Sequence, residues 1–503
     1  MAETIVRVES SSSPIALPSR PPDPCALVVF GVTGDLTRRK LVPALHALAQ
    51  ARELPERFAL VGTSTSVGAA AELREKLRES TARFSRLQPF DEAAWGGFAG
   101  RIDAVQGDFN RPEAYAALRA KLEDAERRHG TGGNRLFYCA VPPAVYPVIL
   151  RNLKQAGLLR APGDGPWSRV VIEKPFGRDL ASARELNRLL GEVLDEGQIF
   201  RIDHYLGKET VQNILVLRFG NSLFEPLWNH KYVDHVQITM AEEIGVEGRG
   251  KFYDQTGVLR DMIQSHVLQV LALCAMEPPV SFRADDIRDE KFKVLRALRP
   301  VAAGDTVRGR YLGYAREPGV APGSRTPTYA ALKLHVDNWR WQGVPFYIRS
   351  GKGLTKRRTE VSIHFSQIPF CLFGSEEVCA RIEPNVLTLR IQPDEGIALR
   401  FGCKEPGDAL SVGTVTMDFS YAASFKRPPG EAYERLLLDA MRGDATLFAR
   451  RDADEQAWAF ATPILESWDA DPAPLPEYER GSVGPANADA WIHRDKRRWR
   501  PLA

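Results

Sequence analysis

The chain has 503 residues, 44% of them hydrophobic and 26% charged, with a net charge of +3. Its length exceeds one ordinary core and predicts two domains. The balanced charge excludes a general attraction to nucleic acid or to a membrane surface, so any anion site has to be a local cluster.

Residues 1–24 are rich in Ser and Pro, hold no apolar core of signal-peptide length, and read as a disordered leader. No stretch approaches the roughly 20 apolar residues of a membrane span. The six cysteines, Cys25, Cys139, Cys274, Cys371, Cys379 and Cys403, form no C-x-x-C pair. That spacing fits a reducing compartment, with neither a disulfide framework nor a zinc site. The expectation is a cytoplasmic protein with no metal.

Order is expected from Cys25. Residues 26–30 (A-L-V-V-F) are a short apolar run, as in a parallel strand buried on both faces. The run enters G-V-T-G-D-L-T, Gly31 to Thr37, after which Leu41, Leu45 and Leu48 recur at helical spacing. Strand, glycine turn and helix are the context of a dinucleotide loop. Gly31 permits the tight turn, and Gly34 lets backbone approach a pyrophosphate at the helix N-terminus. The pattern is G-x-x-G-x-x-T, weaker than G-x-G-x-x-G, and a plain strand-to-helix turn stands beside the functional reading.

A second strand over 58–62 ends in Thr63-Ser64-Thr65, where such folds read the ribose. An acid there would bind the 2′-hydroxyl of NAD, and an Arg would accommodate the 2′-phosphate of NADP. This chain offers hydroxyls. Helices are predicted over 70–84 and 111–127, and strands over 104–106, 135–140 and 169–172. The alternation predicts a parallel sheet wound with helices. The last of these strands ends in E-K-P-F-G, which puts Lys174 at a strand's carboxyl end, where ligands bind.

After the apolar run 198–202 comes R-I-D-H-Y-L-G-K-E, Arg201 to Glu209. Asp203, His204, Tyr205 and Lys208 suit a site that grips an anion beside a proton transfer. Lys and His⁺ donate to phosphate, and an Asp orients a His from elsewhere in the fold. The ordinary alternative is a polar turn.

Beyond Glu209 the pattern changes. Residues 232–240 alternate as a strand does, with Glu242 just past them. A helix follows, with an apolar stripe of Val258, Met262, Ile263, Val267, Val270 and Leu271. His266 lies on that stripe, preceded by Arg260 and Asp261. It reads either as a core histidine or as a base whose pKa a nearby carboxylate sets. Strands are predicted over 306–314, 328–336, 344–350, 361–366, 386–392 and 397–403, hence a large, mostly antiparallel sheet. Between two of them, R-S-G-K-G-L-T-K-R-R (349–358) is either a solvated edge or a phosphate clamp. Helices return over 432–441 and 455–468.

Five segments, G-V-T-G-D-L-T-R-R-K, E-K-P-F-G-R-D-L, R-I-D-H-Y-L-G-K-E, G-V-L-R-D-M-I-Q-S-H and V-P-F-Y-I-R-S-G-K, together resemble the glucose-6-phosphate dehydrogenase family, in its order and across about residues 25–490. The resemblance implies an α/β plus α+β chain: a Rossmann domain over 25–203, and over 204–503 a β+α domain whose large mixed sheet makes a homodimer or homotetramer contact. It implies oxidation of C1 of glucose 6-phosphate to 6-phosphogluconolactone with NADP, the first step of the oxidative pentose phosphate pathway. His266 then matches the base and Asp203 its partner. His204, Tyr205 and Lys208 match phosphate ligands. Glu242, Asp261 and Lys352 match sugar ligands, with Lys356 or Arg357 assisting, and Lys174 touches both sugar and coenzyme. Gly31, Val32, Thr33, Gly34, Asp35, Leu36, Thr37 and Tyr146 match coenzyme contacts. Thr65 stands where the family often has an Arg, which leaves room for NAD. Two other readings remain: an oxidoreductase for unphosphorylated sugars, and a non-catalytic sugar-phosphate sensor.

Overall fold

Strand β1 (Cys25–Phe30) is buried at every position, as its unbroken apolar run requires of a strand covered on both faces. The computed structural model describes residues 20–502 except 164, 371, 373–378, 380 and 426–429. Most of the expected leader, residues 1–19, lies outside the described residues.

Five more strands join β1 in parallel: β2 (Phe58–Ser64), β3 (Ile102–Gln106), β4 (Arg135–Cys139), β5 (Ser168–Glu173) and β6 (Ile199–Ile202). Their order is β3-β2-β1-β4-β5-β6, the doubly wound arrangement with its switch point between β1 and β4. The crossovers carry helices such as Ala70–Phe84, Pro112–His129 and Leu180–Gly191. The last was not read from the sequence, nor was β6 as a strand, although a parallel β5–β6 pair demands a crossover. Beyond β6 the two-residue strand Phe448–Ala449 adds an antiparallel edge, so the C-terminal half completes this sheet.

Among the described residues the second sheet has nine strands. Those expected from the sequence appear as β7 (Val233–Ala241), β8 (Thr306–Tyr311), β9 (Tyr329–His335), β10 (Pro345–Gly351), β11 (Arg358–Phe365), β12 (Val386–Gln392) and β13 (Gly396–Lys404). An unforeseen strand, β14 (Val412–Ser420), pairs with β13 along nine residues. Its exposed faces blunt the alternation that marks a half-buried strand. The order is β14-β13-β12-β11-β7-β10-β9-β8, closed by Glu477–Tyr478. Pairing is antiparallel except between β10 and β7 and at that last edge. Strand β8 stops at Tyr311, short of the expected 314, because Gly313 turns the chain at φ 91°.

One hydrophobic cluster runs from Leu27 and Val29 of β1 through Val267 and Leu271 to Ile348 of β10 and Trp458. A shared core of this kind holds the carboxyl ends of both sheets against each other. Cys25, Cys139, Cys274 and Cys403 are free, whereas Cys379 is disulfide-bonded, which corrects the expectation of thiols alone. Among the described residues no helix is long and apolar enough to cross a membrane.

Candidate active site

The glycine turn sits at the switch point. Gly31 has φ 87°, and a Cβ there would come within 2.4 Å of the Ala140 carbonyl oxygen at the end of β4. Only glycine fits on both counts. Gly31 N and Val32 N donate to Thr63 O at 2.8 and 3.2 Å, and Thr37 Oγ1 donates to Gly31 O at 3.2 Å. Helical structure begins at Asp35 and Leu36 and passes through a π-helical stretch, Thr37–Leu41, into Val42–Gln50. Thr33 Oγ1 lies 3.0 Å from Ser64 Oγ and 3.4 Å from Ser66 Oγ. The hydroxyl cluster beside the loop is therefore Thr33, Ser64 and Ser66, and the sequence reading missed Ser66. Thr65 is exposed just past β2. Lys40 is engaged with Glu431 at 3.0 Å and Arg39 with Asp35 at 3.1 Å. Tyr146 is fully buried, and its hydroxyl donates to Glu173 O at 3.0 Å, directly beneath Lys174.

Lys174 leaves the end of β5, and Asp203 leaves the end of its neighbour β6. Parallel pairing in register brings the two together. The third side chain comes from a helix of unusual pitch. Gly257, at φ 60° and ψ 175°, interrupts the helix Gly250–Val258, and Leu259–Val267 then winds as a π-helix. In an α-helix Asp261 and His266 would stand ~140° apart. Bonding from i to i+5 returns them to one face. Lys174 Nζ confirms this, lying 3.2 Å from Asp261 Oδ1 and 2.6 Å from His266 Nε2.

His266 Nδ1 is 2.5 Å from Asp203 Oδ1, across 63 residues of sequence. The same oxygen accepts from Tyr205 N at 3.0 Å. Nδ1–H thus donates to the carboxylate and Nε2 keeps its lone pair, toward Lys174. The Tyr205 ring stacks on His266 at 4.3 Å, and His204 meets it edge-on at 4.7 Å. Gly207 has no room for a Cβ, which would lie 2.7 Å from Ala432 O, so this turn is pinned.

The second sheet supplies the opposite wall. Gly351 of β10 pairs in parallel with Ala241 of β7, so the next residues, Lys352 and Glu242, emerge side by side as an ion pair. Lys208 lies 4.4 Å over the Tyr205 ring and donates to Gln392 Oε1, which also accepts from Arg357 at 3.1 Å. Gln392 Nε2 reaches Tyr205 Oη at 3.3 Å and Thr359 Oγ1 at 3.0 Å. Gln392, like Ser66, is a residue that sequence reasoning missed. Its one signal was its place at the end of a predicted strand.

Burial sets the electrostatics. It pushes His266 below its ordinary value, aided by Lys174, while Asp203 opposes the shift. It pushes His204 well down, with His266 and Lys174 adding to the effect. His204 is therefore a neutral N–H donor and not the His⁺ of the sequence reading. Burial alone would raise Asp203, but His266, His204 and Lys174 outweigh it and hold the carboxylate ionised. Asp261 likewise falls to about 2, against burial, through Lys174, Lys352 and His266. Lys208 is pushed down to about 8 by burial and Arg357. Ligand atoms of Asp203, His204 and His266 lie within 4.8 Å of one another, and two of the three, Asp203 and His266, are already joined by their hydrogen bond.

A doubly wound sheet with a glycine turn at its switch point, facing a His–Asp pair and a ring of basic donors, defines a nicotinamide-dinucleotide-linked dehydrogenase with an anion pocket. Residues 28–213 match the model of the glucose-6-phosphate dehydrogenase NAD-binding domain, and residues 215–500 match that of its C-terminal domain. The chain is 47% identical over 495 residues to a glucose-6-phosphate 1-dehydrogenase of Chlamydia pneumoniae, covering 95% of this chain and 96% of that one. It is 46% identical over 489 residues to a glucose-6-phosphate 1-dehydrogenase 2 of Mycobacterium tuberculosis, covering 95% and 94%. A crystal structure of the Mycobacterium avium enzyme superposes with a TM-score of 0.83 at 39% identity, covering 96% of this chain and 99% of that one. A glucose-6-phosphate dehydrogenase in complex with glucose 6-phosphate superposes at 0.88 with 33% identity, covering 96% and 100%. The chain belongs to the glucose-6-phosphate dehydrogenase family.

Proposed function

We propose that this crevice oxidises C1 of glucose 6-phosphate, with His266 as general base. The carrying observation is the His266 geometry: Nδ1 bonded to an ionised Asp203, and Nε2 neutral and facing Lys174. Nε2 takes the C1 hydroxyl proton, and Asp203 steadies the imidazolium that results. The chemistry that bound NADP would supply is the acceptor for the hydride leaving C1. The protein's fit to it rests on the Gly31 turn, where a side chain would collide with Ala140, and on the helix N-terminus behind it. Residues 31–37 would hold its pyrophosphate, and Thr33, Ser64, Thr65 and Ser66 would serve its ribose. Tyr146 acts through the Glu173–Lys174 backbone. With hydroxyls and no acid at positions 63–65, NADP is used, and NAD activity accompanies it.

The phosphate is held by Lys208, His204 and Tyr205, with Arg357 and Gln392 joining them. Glu242, Lys352 and Asp261 take the sugar hydroxyls, and Lys174 moves from His266 to the sugar as substrate enters. The protein is at least a homodimer. Supporting this, the outer strand β14 leaves Val412, Val415 and Met417 exposed at 38%, 42% and 56%, and an uncovered strand edge invites pairing. Sedimentation of the purified protein tests that part. Absorbance at the reduced-coenzyme band, with glucose 6-phosphate or glucose and with each coenzyme, tests the rest. Charged hydrogen bonds of about 1.5–3 kcal/mol each favour the phosphorylated sugar by several orders of magnitude. Comparable kcat/KM for the two sugars would overturn the reading.

A further inference from the structure

A small cavity is lined in part by Asp203. Its walls include Asp203, Gln264 and Gln269, together with Asp454 from the helix Arg451–Ala470. Its volume is about 20 Å³, above the ~10–15 Å³ that one water requires. Three oxygens of these wall residues are buried and accept no hydrogen bond from any described residue: Asp203 Oδ2, Gln269 Oε1 and Asp454 Oδ2. An unpaired buried acceptor is costly, most of all on an ionised carboxylate.

The donors can be counted. One water brings two hydrogens to three acceptors, so one acceptor stays unpaired while Asp454 is ionised. If Asp454 carries a proton, its Oδ2–H donates to the water, and the water donates to Asp203 Oδ2 and Gln269 Oε1. All three oxygens are then satisfied. We propose that neutral Asp454 is a positioning residue for the Asp203–His266 pair, acting through a water held in this cavity. The inference rests on the reading of His266 as base.

The surroundings favour the neutral form. Asp454 is 4% exposed, and burial pushes it up to about 7, against Arg201 and Gln264 and with Glu455 adding to the rise. Arg201 on β6 is already bound to Glu196 and to Asn187. Gln264 Nε2 donates to Asp454 Oδ1 at 3.4 Å. Across the cavity stand Lys174, Arg260 and Asp203. As pH rises through about 7, Asp454 ionises. It withdraws its donor from the water and adds a negative charge to the cavity wall that Asp203 shares.

The test compares Asp454→Asn, whose amide donates at every pH, with the parent. The ratio of variant to parent kcat should rise about two- to tenfold as pH passes through the Asp454 ionisation, the worth of one hydrogen bond. Gln269→Met removes one acceptor and should shrink that step. Infrared spectra of the substrate-free protein should show a protonated-carboxyl band that titrates in the same range and is lost in Asp454→Asn. A flat kcat ratio, or a carboxyl band unchanged by Asp454→Asn, overturns the proposal. The infrared step needs no turnover. If His266→Asn stays active while the band still titrates, the base assignment fails and the coupling of Asp454 to Asp203 survives.

Discussion

Among the described residues two buried histidines, His266 and His235, are each paired with an aspartate. His266 Nδ1 lies 2.5 Å from Asp203, and His235 Nδ1 lies 2.6 Å from Asp234. Both imidazoles are pushed down first by burial, with the carboxylate opposing. The second nitrogen separates them. His235 Nε2 is 3.0 Å from the Gln237 amide, the ring stacks on His364 at 4.1 Å, and Arg497 clamps Asp234 at 2.9 and 2.8 Å. Every position around that ring is filled by protein. His266 Nε2 instead meets the ammonium of Lys174, a long side chain able to swing aside. An oriented imidazole is thus a common structural element, and it becomes a base where its free nitrogen opens on a binding crevice.

Paired substitutions break the comparison most strongly. His266→Asn removes the proposed base, so kcat should fall about 10²- to 10⁴-fold while glucose 6-phosphate still binds. His235→Asn should leave kcat within about threefold and cost about 1–3 kcal/mol of stability through the lost buried hydrogen bonds. Steady-state kinetics and thermal melts of both variants decide it. A His266 variant with nearly parental kcat would make the two histidines equivalent.

The anion pocket comes next. Lys208→Met should raise KM for glucose 6-phosphate about 10- to 150-fold, the worth of one charged hydrogen bond. The proposed phosphate contact needs a protonated Lys208, whose ionisation burial and Arg357 push down to about 8. KM should therefore hold steady below that pH and climb above it. Lys208→Arg, which stays charged, should flatten the climb. A pH-independent KM in the parent would remove Lys208 from the phosphate site.

A smaller effect is expected at the coenzyme loop. Thr65→Arg, placed beside Thr33, Ser64 and Ser66, should raise the NADP-to-NAD ratio of kcat/KM at least about tenfold, mainly through KM for NADP. An unchanged ratio in a parent that already excludes NAD would mean that the 2′-phosphate is read elsewhere.

The smallest effect separates the two histidine regions by stability alone. Burial, then the charges of His235 and Arg400, push His364 down to about 2 from 6.5. Its folded-state pKa lies below the unfolded value, so the unfolded chain binds the extra proton and stability falls as pH drops below about 6.5. His364→Phe keeps the stack on His235 and should lessen the fall in Tm between about pH 7 and 5, with kcat untouched. An identical acid loss in both proteins would place the sensitive group elsewhere.

Much of this was legible in the chain itself. Residues 26–30 and 58–62 announced buried parallel strands because a strand covered on both faces has no polar side to show. The glycine turn was legible because only glycine takes φ 87° against a neighbouring carbonyl. Asp203, His204, Tyr205 and Lys208 were legible as a cluster because they lie within six residues. What the sequence could not decide was which residues meet across distance. Asp203 and His266 are joined by the pairing of β6 and by a π-helical turn, and no periodicity distinguishes that turn from an α-helix. Lys352 meets Glu242 through the register of β10 on β7, and Gln392 joins the pocket as a strand end brought to Lys208 from 184 residues away. The ionisation states of His204 and Asp454 likewise belong to the tertiary structure. Burial and neighbouring charge decide them, and neither exists until the chain has folded.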